Sequence, residues 1–360
     1  MVITQAPFRM SFFGGGTDFP AFYQEHGGKV ISTSIDKYCY VNVRHLPPFF
    51  DYTNEISYSQ RERVNSVEEI QHPAIREAMK FLDMRELTLT YDADLPARSG
   101  LGTSSSFAVA MLMGFYALKG KYVDKKRLAE EAIYLERVLC KESGGVQDQI
   151  AASYGGLNKI MFSKEGFEIN PIVISNERKD HLNDNLMLFF TGFSRFSFTV
   201  QQEHEKAIYS KEQQLLEMLS LVDQAEEILT SRNLDEFGRM LDYTWRLKRG
   251  VNSAVSTSQI DQAYETAMRA GALGGKLLGA GGGGFLLLYV QPEKQEAVRQ
   301  ALYKLKEIPF RFETGGARIL YYASEFYTVP EEEAVKKDDE KRNREDITYL
   351  LYQKPSSCRN

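Results

Sequence analysis

Cysteine is scarce in this sequence: Cys39, Cys140 and Cys358 are the only 3 in 360 residues. Thiols so few, odd in number and far apart exclude a disulfide scaffold and suit a reducing compartment. They form no CxxC pair, and the 5 histidines form no HxxxH pair, which argues against structural zinc. No apolar run approaches the ~18–20 residues that span a bilayer. Residues 1–13 lack the basic stretch, apolar core and small-residue cleavage site of a signal peptide. A soluble, cytoplasmic protein is the expectation. Excess charge of one sign is missing as well: 44 Lys and Arg stand against 49 Asp and Glu, a net charge of −5. That balance argues against a general nucleic-acid coat, which needs a positive face to displace counterions, but leaves room for a basic pocket. Absent too is G-x-x-x-x-G-K-[ST], because Gly275-Lys276 is followed by Leu277 and position 270 is Ala. A P-loop NTPase is thereby excluded.

What is present suits two ordinary cores. Hydrophobic residues make up 43% and charged residues 26% of a chain long enough for about two domains. Glycine is average in total, at 27, but clustered: Gly14 to Gly16, Gly100 and Gly102, and Gly281 to Gly284. Strands are predicted over 8–13, 30–33, 37–44 and 87–91, the last with the alternation of a half-buried edge. Helices are predicted over 72–82, from Ser104 through a run apolar on every side, and from a cap at Asp124 to about Leu139. Residues 47–67 read as a long polar excursion. The polar stretch Asn176 to Asn185 places a domain boundary near 182. Beyond it the order is strand (186–191), helices (200–231, 234–248, 259–270), strand (285–290), helix (293–306) and two strands near 308–312 and 317–321. The segments are therefore 1–182, 183–330 and a charged tail, 331–360, in an α+β layered fold.

The strongest motif runs from Pro96 to Ser106. Gly100 and Gly102 remove Cβ atoms where backbone must pass near a ligand, and Thr103 to Ser106 offer four hydroxyls at the start of a buried helix. A helix start with free N–H groups is a phosphate seat, whereas a simple N-cap needs one hydroxyl. Glu136 borders the apolar stripe of its helix, where a carboxylate needs an arginine partner or a cation such as Mg²⁺. Asp148 follows Gly144-Gly145 at a helix start, as a first-turn charge, a cation ligand or an acceptor of a substrate proton. Gly279 to Gly284 contain a literal GxGxxG, but the helix precedes it and a strand follows, the reverse of a dinucleotide fingerprint. Thr17 and Asp18, with Arg9 upstream, are polar ends of a turn that suit a polyhydroxylated ligand.

Together these segments resemble the GHMP kinases. The phosphate loop P-x-x-x-G-L-G-S-S-[SA] is matched by Pro96, Gly100-Leu101-Gly102-Thr103-Ser104-Ser105-Ser106, with threonine for the first serine. Ala6-Pro7-Phe8-Arg9 with Thr17-Asp18 matches the sugar-kinase opening, and Lys276 to Gly284 the C-terminal glycine loop. Within the superfamily, Arg9 to Pro20, Ile35-Asp36-Lys37-Tyr38 and Gly145 to Gln149 resemble the D-glycero-D-manno-heptose 7-phosphate kinases. Galactokinases carry Glu-His where this chain has Gly15-Gly16, so the sugar site is expected to be roomier.

The resemblance implies a two-domain fold, with an N-terminal mixed-sheet domain and a ferredoxin-like C-terminal domain. It implies that ATP and Mg²⁺ are used on a phosphosugar, with no nucleic acid or membrane partner. Carried over by motif, Gly100 to Ser106 resemble the ATP-phosphate loop, and Glu136 with Ser104 or Ser105 the Mg²⁺ ligands. Asp148 and Arg9 look like the catalytic pair, the first taking the acceptor's proton and the second neutralising the transferred phosphoryl group. Gly15, Gly16, Thr17, Asp18, Gly281 and Gly282 would face the substrate. Arg195 is either a seat for the distal phosphate or a surface ion-pair arginine.

Overall fold

The computed structural model describes residues 1–97, 99–192, 211–251, 255–279 and 281–323. Arg195 and the charged tail lie outside the described residues. The N-terminal half is built on β1 (Val2–Phe13), followed by α1 (Pro20–His26) and β2 (Gly28–His45). Two strands are predicted over 30–44, and the structure has one. Asp36 and Lys37 bulge out of its pairing with β1, where Pro7 faces Tyr38 but Phe8 faces Ile35. A bulge bends a strand without ending it.

The bulge lets β2 serve two sub-sheets. Next come β3 (Asn54–Ser57) and β4 (Arg61–Val64), α2 (Pro73–Phe81) and β5 (Leu87–Ala93). The second half of β2 pairs with β5, which in turn pairs in parallel with β3. So β5 is an inner strand, not the edge that its alternation predicts, and the polar excursion contains the hairpin that covers it. Helix α3 (Thr103–Leu118) has almost no exposed face, as its composition requires, and packs on β1 and β2. Gly114 lets it approach the sheet, where the Thr4 hydroxyl donates to Ala110 C=O at 2.7 Å. Helix α4 (Lys125–Tyr134) starts at the predicted cap, with Arg127 N–H donating to Asp124 Oδ1 at 2.9 Å. Helix α5 (Gln147–Tyr154) and the strands β6 (Leu157–Ser163) and β7 (Gly166–Pro171) follow, with β6 pairing the first half of β2.

The polar boundary stretch is a helix, α6 (Asn176–Asp184), capped by Ser175. It leads into β8 (Leu186–Gly192), α7 (Glu212–Ser231), α8 (Asp235–Val251), α9 (Ser258–Arg269), β9 (Gly274–Leu277) and β10 (Gly284–Tyr289). Helix α10 (Pro292–Ala301) and β11 (Lys306–Glu307) complete the second sheet, in the antiparallel order β11-β8-β10-β9. That order is ferredoxin-like. Strand β9 escapes sequence reading because two of its four residues are glycine.

The last strands, β12 (Phe312–Glu313) and β13 (Arg318–Tyr322), depart from the expected partition. They pair with β2 and β1 in the first sheet, so the chain returns to its N-terminal half. Which sheet edge is open to a strand is a tertiary matter that alternation does not encode. The halves are joined by aromatic packing, with Phe237 edge-on to Phe12 and Phe13 at 5.2 and 5.0 Å.

Candidate active site

Arg9 comes from the middle of β1 and is almost fully buried. Its Nε donates to Asp148 Oδ1 at 2.6 Å and its Nη2 to Asp148 Oδ2 at 2.7 Å, a two-pronged ion pair across 139 residues of chain. Its Nη1 donates to Gly100 C=O at 2.7 Å, and its backbone N–H to Leu101 C=O at 3.0 Å. One arginine thus ties α5 to the loop at Gly100 and Leu101. Asp148 lies in the first turn of α5 and stays 24% exposed, open to a reactant.

The loop and the C-terminal glycine run interlock backbone to backbone. A Cβ on Gly100 (φ +85°) would lie 2.4 Å from Leu278 C=O, one on Gly279 would lie 2.4 Å from Gly100 Cα, and one on Gly284 would lie 2.3 Å from Ser99 C=O. These glycines hold two loops at a separation that no side chain permits. Gly100→Ala is therefore expected to destabilise well beyond the ~1 kcal/mol of left-handed backbone strain alone and to weaken ATP binding. Gly120→Ala (φ +66°, nothing within 4 Å) is the control that isolates the strain. Urea unfolding and ATP titration compare them, and equal costs would remove the interlock from the account.

Glu136 sits in a π-helical turn, Leu135–Leu139, which extends α4. The inserted residue turns a polar side chain inward, a common use of such turns. The Ser104 hydroxyl donates to Oε1 at 2.8 Å, the Ser105 hydroxyl to Oε2 at 2.6 Å, and the Gln149 amide also to Oε2. All three donors are neutral. Burial first, and then the nearby Glu142, pushes the Glu136 carboxyl up to about 7. A buried carboxylate gathering hydroxyls, with no cation of the described residues bonded to its oxygens, fits a Mg²⁺ site of hard oxygen donors. Among the described residues no group of three or more His, Cys, Asp or Glu is placed to hold a metal. An ion here would lean on the serine hydroxyls and phosphate oxygens.

Asp18 is buried beside Gly145, where a Cβ would fall 1.8 Å from Asp18 Oδ2. Gly16 N–H donates to Oδ1 at 3.0 Å and the Gln147 amide to Oδ2 at 3.0 Å. Burial, then Asp148, raises its carboxyl above the ordinary range.

These groups line one cavity of about 1000 Å³ between the two halves. Its lining includes Gly15, Gly16, Asp18, Lys248 and Lys276, and with them Arg9, Asp148, Gly102, Ser104, Ser105 and Glu136. Tyr58, His72, Tyr91 and Phe107 form an aromatic wall of the same cavity, with His72 edge-on to Tyr58 (4.9 Å) and Phe107 (5.5 Å).

Residues 67–156 match the N-terminal domain of the GHMP kinases, and residues 223–307 match their C-terminal domain. The chain belongs to the GHMP kinase family. As a member it is an ATP-dependent phosphotransferase with an alcohol group as acceptor. It is similar to the D-glycero-alpha-D-manno-heptose 7-phosphate kinase of Campylobacter jejuni, with 28% identity over 317 residues, 84% of this chain and 93% of that protein. It is also similar to the bifunctional fucokinase/GDP-fucose pyrophosphorylase of Arabidopsis thaliana, with 26% identity over 83% of this chain but 31% of the longer protein. Among solved structures, a D-glycero-D-manno-heptose 1-phosphate kinase from Bacteroides thetaiotaomicron superposes with a TM-score of 0.67 at 24% identity, covering 90% of this chain and all of that one (100%). Lactococcus lactis galactokinase with galactose superposes with a TM-score of 0.66 at 18% identity, covering 88% and 94%. These last likenesses speak to the fold. It is the two-domain GHMP kinase fold.

Within this kinase the sequence-derived residues divide. Gly15, Gly16, Asp18, Arg9, Gly100, Gly102, Thr103, Ser104, Ser105, Glu136, Asp148 and Gly281 line the cavity. Thr17 does not: its hydroxyl donates to Gly14 C=O and Lys29 C=O, both at 2.8 Å, and closes the turn. Leu101 is a core residue, and the Ser106 hydroxyl donates to Pro7 C=O at 2.8 Å. Gly282 is turned toward Val255, whose C=O takes its N–H at 3.0 Å. Each is a scaffold position inside a motif, and motif spacing cannot separate scaffold from lining. Sequence reading missed Lys248 and the aromatic wall, which come from scattered elements with no local pattern. Lys276 was visible only as the residue opening the glycine motif.

Proposed function

We propose that this kinase transfers the γ-phosphoryl group of ATP to the anomeric hydroxyl of D-glycero-D-manno-heptose 7-phosphate, giving the 1,7-bisphosphate used for nucleotide-activated heptose synthesis. The observation that carries the reading is the Arg9–Asp148 pair, held between the phosphate loop and the Gly15–Asp18 turn. ATP phosphates would lie on the N–H groups and hydroxyls of Thr103 to Ser105 at the start of α3, with the base against Tyr58, His72 and Phe107. Ser104, Ser105 and Glu136 would hold Mg²⁺, which offsets phosphate charge when bound. Asp18 would accept hydrogen bonds from sugar hydroxyls, and the bare Gly15 and Gly16 leave room for a long acceptor. The acceptor oxygen then bonds to the γ-phosphorus, the bond to the β–γ bridging oxygen breaks, and the hydroxyl proton passes to Asp148. Arg9 is placed against charge on the transferred group. The likeness to the Campylobacter protein along 93% of its length supports the acceptor assignment.

A GHMP kinase for another sugar is the second reading, favoured by the fucokinase likeness. A coupled ADP-release assay over heptose 7-phosphate, mannose, fucose, galactose and mevalonate separates them. Turnover is expected on heptose 7-phosphate. Turnover on fucose or galactose with none on heptose 7-phosphate would sink the assignment, and none on any acceptor would favour a silent sugar or nucleotide sensor.

A further inference from the structure

Two lysines in the acceptor half of the cavity have no place in the chemistry described so far. Lys248 reaches in from the last turn of α8 and Lys276 from β9, and both are buried, at 7% and 5% exposure. An ammonium group has three donors. Among the described residues Lys248 Nζ donates only to Gly279 C=O, and Lys276 Nζ only to Phe12 C=O, at 2.9 Å. No carboxylate is bonded to either, and Asp18 acts on both only through space. Lys276 also feels Lys248, and both feel Arg9. Burial and then Arg9 push Lys248 down to about 8; burial, then Lys248, then Arg9 push Lys276 far down. Two buried amines that line one cavity, keep donors to spare and are bonded to no carboxylate among the described residues are costly to charge until an anion arrives.

We infer that Lys248 and Lys276, beside Arg9, form a seat for a phosphate dianion in the acceptor half of the cavity. The inference rests on the kinase reading and adds the group that this half recognises. The dianion has two sources, the phosphate ester carried by the acceptor or the γ-phosphoryl group in transit. An acceptor with no phosphate would leave the ester role unused.

Lys248→Met and Lys276→Met keep the length and apolar stem of each side chain and remove the charge. Calorimetric titration of the ligand-free enzyme with inorganic phosphate comes first. Binding is expected in the parent, competitive with the acceptor or with ATP according to the source, and weaker by about 10- to 100-fold in each variant, the size of one charged hydrogen bond. Kinetics then separate the sources. If the acceptor's ester occupies the seat, KM for heptose 7-phosphate rises about 10- to 100-fold at near-constant kcat, while unphosphorylated heptose is unaffected. If the γ-phosphoryl group occupies it, kcat falls for both acceptors with KM unchanged. Parent-like phosphate binding and kinetics in both folded variants would overturn the seat. Should the methionine variants fail to fold, failure of phosphate to compete with either the acceptor or ATP in the parent enzyme does so instead. Phosphate binding needs no turnover, so a protein that phosphorylates none of the acceptors still tests the seat independently of the kinase reading.

Discussion

Asp148→Asn is expected to lower kcat by about 10³-fold or more while ATP binds within a few-fold of the parent affinity. The carboxylate now takes two N–H groups from Arg9, at 2.6 and 2.7 Å. Asparagine offers one acceptor oxygen and one amide that meets an arginine N–H donor to donor. It also cannot take a proton from the attacking hydroxyl. Two effects are therefore removed, a proton acceptor and half of the clamp on Arg9. The nucleotide seat proposed at the start of α3 does not use Asp148. A double-mutant cycle with Arg9→Ala apportions the loss. If Asp148 serves only to hold Arg9, either single change costs as much as both. If it also takes the proton, Asp148→Asn costs further turnover in the Arg9→Ala background. Near-normal kcat in Asp148→Asn would remove the residue from the chemistry.

Glu136→Gln should give opposite effects on turnover and stability. The folded carboxyl titrates near 7 against an ordinary 4.5. The folded protein thus binds this proton more tightly than the unfolded chain, and the stability it supplies is complete below 4.5. That contribution is lost as pH rises from 4.5 to 7, and at pH 8.5 the native state bears the whole cost of a buried charge. Glutamine carries none at any pH. The ligand-free variant should be more stable than the parent at pH 8.5 by on the order of 1–3 kcal/mol, visible as a raised melting point, with a smaller gain at pH 5.5. Activity at saturating ATP and Mg²⁺ should meanwhile fall by at least about 10²-fold, as expected for losing charge stabilisation at the transferring phosphoryl group. An equal stability gain at both pH values would mean that the charge is not what costs. Turnover within tenfold of the parent would remove Glu136 from the metal site. Stability gained by neutralising a functional residue is the usual form of that trade-off.

Much of this site is legible in the chain because its parts are local. The hydroxyl-rich start of α3, the Asp124 cap and the glycine clusters are short patterns whose meaning depends on neighbours within a few residues. The β2 bulge at Asp36 and Lys37, the hairpin at 54–64 and the strand Gly274–Leu277 were not legible. Their strand character is set by the edge they meet and not by their own residues. The return of Phe312 to Tyr322 to the first sheet belongs to the same class.

Sequence alone determined the two-domain α+β class and singled out Arg9, Gly102, Ser104, Ser105, Glu136 and Asp148, which line the cavity. Only the tertiary structure decided that Arg9 grips Asp148, that two serines close on Glu136, that Thr17 and Ser106 are scaffold, and that Lys248 and Lys276 line the same cavity. The reason is distance along the chain. Arg9 and Asp148 stand 139 residues apart and Lys276 and Phe12 stand 264 apart. Such pairs are made by the packing of sheets and helices, and no local pattern of residues records them.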